Sequence, residues 1–180
     1  MASQTDQLET KLNDLFVKNA PALPKGGKDF LVEYVPYLSL LGGLFSLWAA
    51  YSLWHWASKV NQIADTVNQW GAAFGVEPVA KDRWTVALWI SLALIAITAV
   101  LYILAYSPLK ARKKAGWNLL FYALLINLVG GIVGLFADSY GYGGGFGGLI
   151  GSLIGFAIGG YLIFQIREAY LGKKTVEKKA

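Results

Sequence analysis

The stretch GWNLLFYALLINLVGGIVGLFADSYGYGGGFGGLIGSLIGFAIGGYLIFQI, residues 116–166, carries a single formal charge, Asp138. A membrane-crossing helix needs roughly 20 apolar residues, because each residue rises about 1.5 Å against a hydrocarbon core of about 30 Å and no backbone polar group can go unpaired in lipid. The stretch is too long for one crossing and long enough for two. The run GYGGGFGG at 141–148 predicts the break, since consecutive glycines are poor helix formers and good turn formers. Spans at about 117–137 and 147–166 follow.

Working outward, two more spans precede these. No formal charge lies between Glu33 and Lys59, and LSLLGGLFSLWAAYSLWHWA (38–57) is the heart of a span at about 35–57. WTVALWISLALIAITAVLYILAY (84–106) is the second, and Ser107-Pro108 is expected to end it, because proline lacks the donor the next turn needs. The predicted class is an all-α integral membrane four-helix bundle with amphipathic flanking helices. Its parts are an N-terminal tail at 1–30, a four-span domain at 31–168 and a basic tail at 169–180. Composition agrees: 15% of the 180 residues are charged and 56% hydrophobic, against roughly 25% charge in a soluble domain. Disorder is excluded by the apolar fraction, and a disulfide or thiolate-metal framework by the zero cysteine count.

Basic residues set the expected orientation, because short loops rich in lysine and arginine stay in the cytoplasm. Four spans put the N-terminal tail, the 107–116 loop (Lys110, Arg112, Lys113, Lys114) and the C-terminal tail on one side, with 13 of the 16 basic residues. Lys59, Lys81 and Arg83 take the other side. The expectation is a multi-pass cell-membrane protein with both termini cytoplasmic, and no cleavable signal is visible in the first 30 residues. Trp54, Trp56, Trp70 and Trp84 gather at the outer interface, and Tyr34, Tyr37, Tyr106, Trp117 and Tyr170 near the inner one.

Two amphipathic segments flank the spans. In the tail, Asp6 with Glu9 reads as a capping box, placing Leu8, Leu12, Leu15 and Phe16 on one face. After the first span, Val60, Ile63, Ala64, Val67 and Phe74 oppose Asn61, Gln62, Asp65, Asn68 and Gln69. That pattern predicts a helix on the outer membrane surface, a lid over the bundle, or a plain connector.

The inventory for chemistry is short. One histidine and no cysteine leave no metal spacing, no thiol nucleophile and no supported serine-histidine-acid arrangement, so no catalytic residue, metal or cofactor is expected. Gly143-x-Gly145-x-x-Gly148 follows no strand and lacks the context of a dinucleotide fingerprint. The basic loop and tail suit anionic lipid headgroups rather than nucleic acid.

Three polar groups are candidates for an intramembrane site. His55, between Trp54 and Trp56, reads as an interfacial residue, with a pH-sensing role as the alternative. Asp138 closes the third span on the face of Gly130 and Gly134. Asn127 lies deep in the same helix, as an interhelical hydrogen bond of about 1 kcal/mol or as a pore-lining group.

Glycine spacing is the strongest local signal. Gly147, Gly151, Gly155 and Gly159 recur every fourth residue, and Gly130 and Gly134 repeat that spacing in the third span. Small residues let helix backbones approach closely. This glycine zipper predicts either a hairpin of spans three and four or a homo-oligomeric contact.

The strings LKARKKAGWNLLFYALLINLV (109–129), APALPKGGKDF (20–30) and FQIREAY (164–170) resemble a group of small, uncharacterised bacterial membrane proteins with the same order of elements. The resemblance implies four spans and a basic inner loop, and no assigned activity. The leading functional expectation is a non-enzymatic structural or interaction protein in the lipid bilayer. A small oligomeric transporter or channel subunit is the alternative, and an intramembrane enzyme ranks last.

Overall fold

The computed structural model describes residues 4–75, 86–137 and 145–171. Six α-helices follow in chain order: α1 (Gln4–Asn13), α2 (Lys25–Ala73), α3 (Val86–Lys110), α4 (Lys114–Ala137), α5 (Gly145–Gln165) and the short α6 (Arg167–Tyr170), with a π-helical turn at Asp14–Lys18 after α1. Helices α2 to α5 are each long and apolar enough to cross a membrane, and no strand occurs among the described residues. The molecule is an all-α four-helix bundle of the multi-pass membrane type.

Four boundaries depart from the sequence reading. The first span and the amphipathic segment that follows it form one unbroken helix, which ends at Ala73. Nothing from Ala57 to Trp70 interrupts it, since that run holds no glycine or proline. At 49 residues α2 is about 73 Å long, more than twice the hydrocarbon thickness. It also starts at Lys25 rather than near 35, after Pro24.

Pro108 does not stop α3, which runs on to Lys110. The chain stops two residues later in a Schellman arrangement: Lys113 N–H donates to Pro108 O (2.8 Å) and Arg112 N–H to Leu109 O (2.9 Å). Arg112 takes the left-handed conformation this requires, at φ 50°. Fourth, α1 already begins at Gln4, so Asp6 lies inside the helix rather than at its N-cap position.

The spans pack in chain order, α2 on α3, α3 on α4 and α4 on α5. Their register is antiparallel throughout: Tyr37 meets Tyr106 (5.9 Å between rings) and Trp54 meets Trp89 (5.9 Å). Close approach is allowed by glycine where the chain needs it. A Cβ on Gly43 would sit 2.8 Å from Ile103 Cγ1, and one on Gly131 would overlap Ser152 of α5.

The densest core lies at the end carrying the basic loop. Trp117, Leu120, Phe121 and Leu124 of α4 meet Ala105 and Leu109 of α3, Ile163 and Phe164 of α5, then Ile166, Tyr170 and Phe16.

Candidate functional site

Two regions concentrate the chemistry, a clasp at the basic end and a cleft midway along the spans.

The clasp ties the N-terminal segment to the end of α5. Glu9 and Leu12 lie three residues apart on one face of α1, and Phe16 follows in the π-helical turn Asp14–Lys18. Phe16 fills the space a side chain on Gly160 would need, its ring 2.7 Å from that Cβ position, and stacks on Phe164 (5.7 Å, 28°). Glu9, only 8% exposed, accepts from Arg167 Nε (2.8 Å) and from Nη2. The same guanidinium lies 5.5 Å over the Trp117 ring, whose Nε1–H donates to Ile163 O (2.8 Å). Gln165 completes the junction: its amide donates to Phe16 O (3.1 Å) and accepts from Leu23 N–H (3.3 Å). Tyr161 O–H donates to Pro21 O at 2.8 Å.

One contact has its origin in a proline. Pro36 lies inside α2 and has no N–H, which leaves the carbonyl four residues earlier, Val32 O, without its helical donor. Tyr170 O–H supplies one at 3.3 Å. Burial pushes the Tyr170 hydroxyl up to about 12, with the Arg112 charge acting weakly the other way. At this end the seam between α5 and α2 is therefore closed by tail, Gln165 and Tyr170 together.

Midway along the spans that seam is open. A cleft of about 430 Å³ lies between α2, α3, α4 and α5, lined by Ser46, Tyr102, Asn127, Ser152 and Phe156 with Gly151, Gly155 and Gly159. Asn127 donates to Ala123 O (2.9 Å) and, at a long 3.5 Å, to the Tyr102 hydroxyl across the helix interface. It is exposed to the cleft rather than enclosed. A smaller cavity of about 240 Å³ between α2, α3 and α4 is lined by Asn127, Gly130, Gly134, Thr98 and Ser91 among others.

The remaining sequence candidates are scattered. His55 is exposed on α2, close to the level of Trp54 and Trp89, stacked on Tyr51 (5.9 Å, 18°) and remote from Asn127 in the chain. Asp138 lies outside the described residues. Side chains built on Gly130, Gly147, Gly151 or Gly155 would meet nothing within 4 Å, whereas one on Gly159 would meet Leu124 Cδ1 at 2.9 Å. Within one chain, the α4–α5 contact thus runs through Gly131, Ser152 and Gly159. Among the described residues no group of three or more His, Cys, Asp or Glu side chains converges as a metal site would require.

Sequence reasoning missed the Glu9–Arg167 pair, the Trp117 bond and Gln165. The first had a signal, an acid on the apolar face of α1 matched by the first charge after the fourth span. The other two depend on which helices meet, which spacing does not encode.

The chain matches no protein-family model, no curated protein and no solved structure.

Proposed function

We propose that this chain is a non-enzymatic structural or interaction protein of the cell membrane, whose fourth span offers a bare glycine face to another transmembrane helix. The observation that carries the reading is the open space over Gly147, Gly151 and Gly155. Lipid tails are as apolar as leucine, so helices associate in a bilayer by close packing, and small residues permit it. Gly151 and Gly155 line the open cleft, and a glycine face that no side chain of its own bundle fills is complementary to another helix, of a second copy or of a partner. In this reading both termini are cytoplasmic and the basic loop and tails contact anionic headgroups.

The double variant Gly151→Leu, Gly155→Leu tests it, because the added side chains meet open space and leave the fold intact. Crosslinking in native membranes should recover the assembly from the wild-type chain and lose it in the variant. An unchanged crosslinking pattern would remove the basis of the proposal.

The cleft favours one second reading, a small oligomeric transporter or channel subunit. Asn127 and Tyr102 place polar atoms at membrane depth on the wall of an open cavity, where such groups mark solute paths. Liposomes holding the purified protein should then pass ions or small solutes, and Asn127→Leu should abolish the flux. Tight liposomes eliminate this reading and leave the first untouched.

A further inference from the structure

We propose that the part of α2 beyond the bundle is the seam of a parallel coiled coil formed with a second copy of this chain.

Among the described residues, only α2 continues past the far end. Trp54 lies against Trp89 near the start of α3, and Leu53 shares a cavity wall with Ser91 and with Gly134 near the end of α4. Gly131 meets Ser152 and Gly148 near the start of α5. The far ends of α3, α4 and α5 are therefore level with about Ala57 of α2. Among the described residues, no helix runs beside Val60–Phe74.

The sequence of this projection has a coiled-coil period. Starting from Trp56, the apolar residues Val60, Ile63, Val67, Trp70 and Phe74 follow at steps of four, three, four, three and four. The mean step of 3.5 keeps them on one stripe of a supercoiled helix. In heptad terms Val60, Val67 and Phe74 occupy a, and Ile63 and Trp70 occupy d. The b, c and f positions hold Asn61, Gln62, Asp65, Asn68, Gln69 and Ala72. The flanking e and g positions are Ala64, Gly71, Lys59, Thr66 and Ala73, small or neutral apart from one lysine. Two copies therefore meet along the seam with little like-charge repulsion.

The stripe faces solvent. Ile63 is 62% exposed, Val67 49%, Trp70 69% and Phe74 78%. Together they present on the order of 500 Å² of apolar side chain, a large continuous patch for a single chain. Pairing two such stripes buries up to about 1,000 Å², which reaches the lower bound for a specific interface. The bilayer is a poor cover, since an interfacial helix must turn to lie flat and α2 has no break between Ala57 and Trp70.

A second copy is the occupant that fits without further assumption. Two copies inserted with the same topology carry their seams upright, parallel and at the same height, so a faces a and d faces d. Two of the three a positions, Val60 and Val67, are valine, so the seam packs β-branched side chains against their own copies. This surface is separate from the glycine face of α5, so the two proposals stand or fall apart.

The chain has no cysteine, which makes single-cysteine variants clean reporters. Disulfide crosslinking of the purified protein in liposomes that hold no other protein should give dimers from Ile63→Cys and Val67→Cys at least fivefold more efficiently than from Gln62→Cys, Asp65→Cys or Gln69→Cys. Adding Ile63→Asp to the Val67→Cys background should return crosslinking to the level of the polar positions. Uniform or absent crosslinking overturns the proposal. So does a periodic pattern seen in native membranes and lost in the pure liposomes, which would assign the seam to a different protein. If Gly151→Leu, Gly155→Leu abolishes the periodic pattern, the seam does not pair by itself and the proposal fails. If the pattern survives that double variant, it is confirmed as an independent contact.

Discussion

The two ends of the bundle solve the same packing problem in opposite ways. At the basic end, Trp117, Phe121, Phe164 and Phe16 interlock, polar edges are paired by Glu9, Arg167 and Gln165, and the buried side chains concentrate. Beyond that end the packing loosens: midway along the spans α5 shows bare glycines and the wall of the cleft is open, and at the far end α2 leaves its described neighbours behind. In lipid no hydrophobic force drives one apolar helix against another, so tightness comes from shape and from polar pairs. The end that has both holds the fold together, and the end that lacks both is left to meet something else.

The comparison breaks most directly at Trp117. Trp117→Ala removes a fully buried ring, its bond to Ile163 O and its contact with Arg167. It should cost about 3–5 kcal/mol, read as a drop in the unfolding midpoint in detergent. Trp48→Ala, at an exposed position, should cost far less. Equal losses would show that the basic end is no tighter than the rest.

Next comes the ion pair. Glu9→Ala strands the Arg167 guanidinium at a largely buried site, for about 3 kcal/mol. It should also free the N-terminal segment, seen as faster proteolysis after Lys11 or Lys18. Glu9→Ala with Arg167→Leu should recover part of the loss, because no unpaired charge then remains buried. A double variant as unstable as the sum of the single ones would mean the two residues act separately.

How much of this was legible in the sequence depends on the kind of information. Four spans could be read because charge is excluded from lipid, and Glu33, Lys59, Lys110, Lys114 and Arg167 bracket the apolar runs. The amphipathic faces at 8–16 and 60–74 could be read because helical period shows in any sequence. What covers those faces could not be read from period alone. The Phe16 face turned out to meet Gly160, while the Val60–Phe74 face meets no other described helix. Glycine spacing showed the same limit: it marked a groove on α5 without saying that Gly131 would face Ser152 while Gly151 and Gly155 stayed open. Pro108 misled because proline is most disruptive inside a helix, and here the last turn absorbs it before the Schellman stop.

The third way to sharpen the contrast uses glycine on both sides of it. Gly160→Leu forces Phe16 out of its seat and should cost about 1–3 kcal/mol by overpacking. Gly155→Leu, five residues away on an open face, should leave the unfolding midpoint nearly unchanged. Matched losses at the two positions would mean that Gly155 is packed within the chain after all.

The smallest effect is the most diagnostic of how the basic end closes. Tyr170→Phe keeps the ring and removes only the donor to Val32 O, leaving a carbonyl that Pro36 has already deprived of its helical partner. The expected cost is about 1 kcal/mol. Pro36→Ala restores an N–H at that position, so Val32 O regains a helical donor and no longer depends on the tyrosine. In the Pro36→Ala background, Tyr170→Phe should then cost markedly less, and an unchanged cost would show that the hydroxyl acts elsewhere. Alkaline titration reads the same group. Its hydroxyl is raised to about 12 from the ordinary 10.0, so the unfolded chain ionises first. The stabilisation is complete below about pH 10 and is lost as pH rises toward 12. Tyr170→Phe should flatten the unfolding midpoint across that window relative to wild type, and a curve that keeps its slope would assign the alkaline loss to a different group.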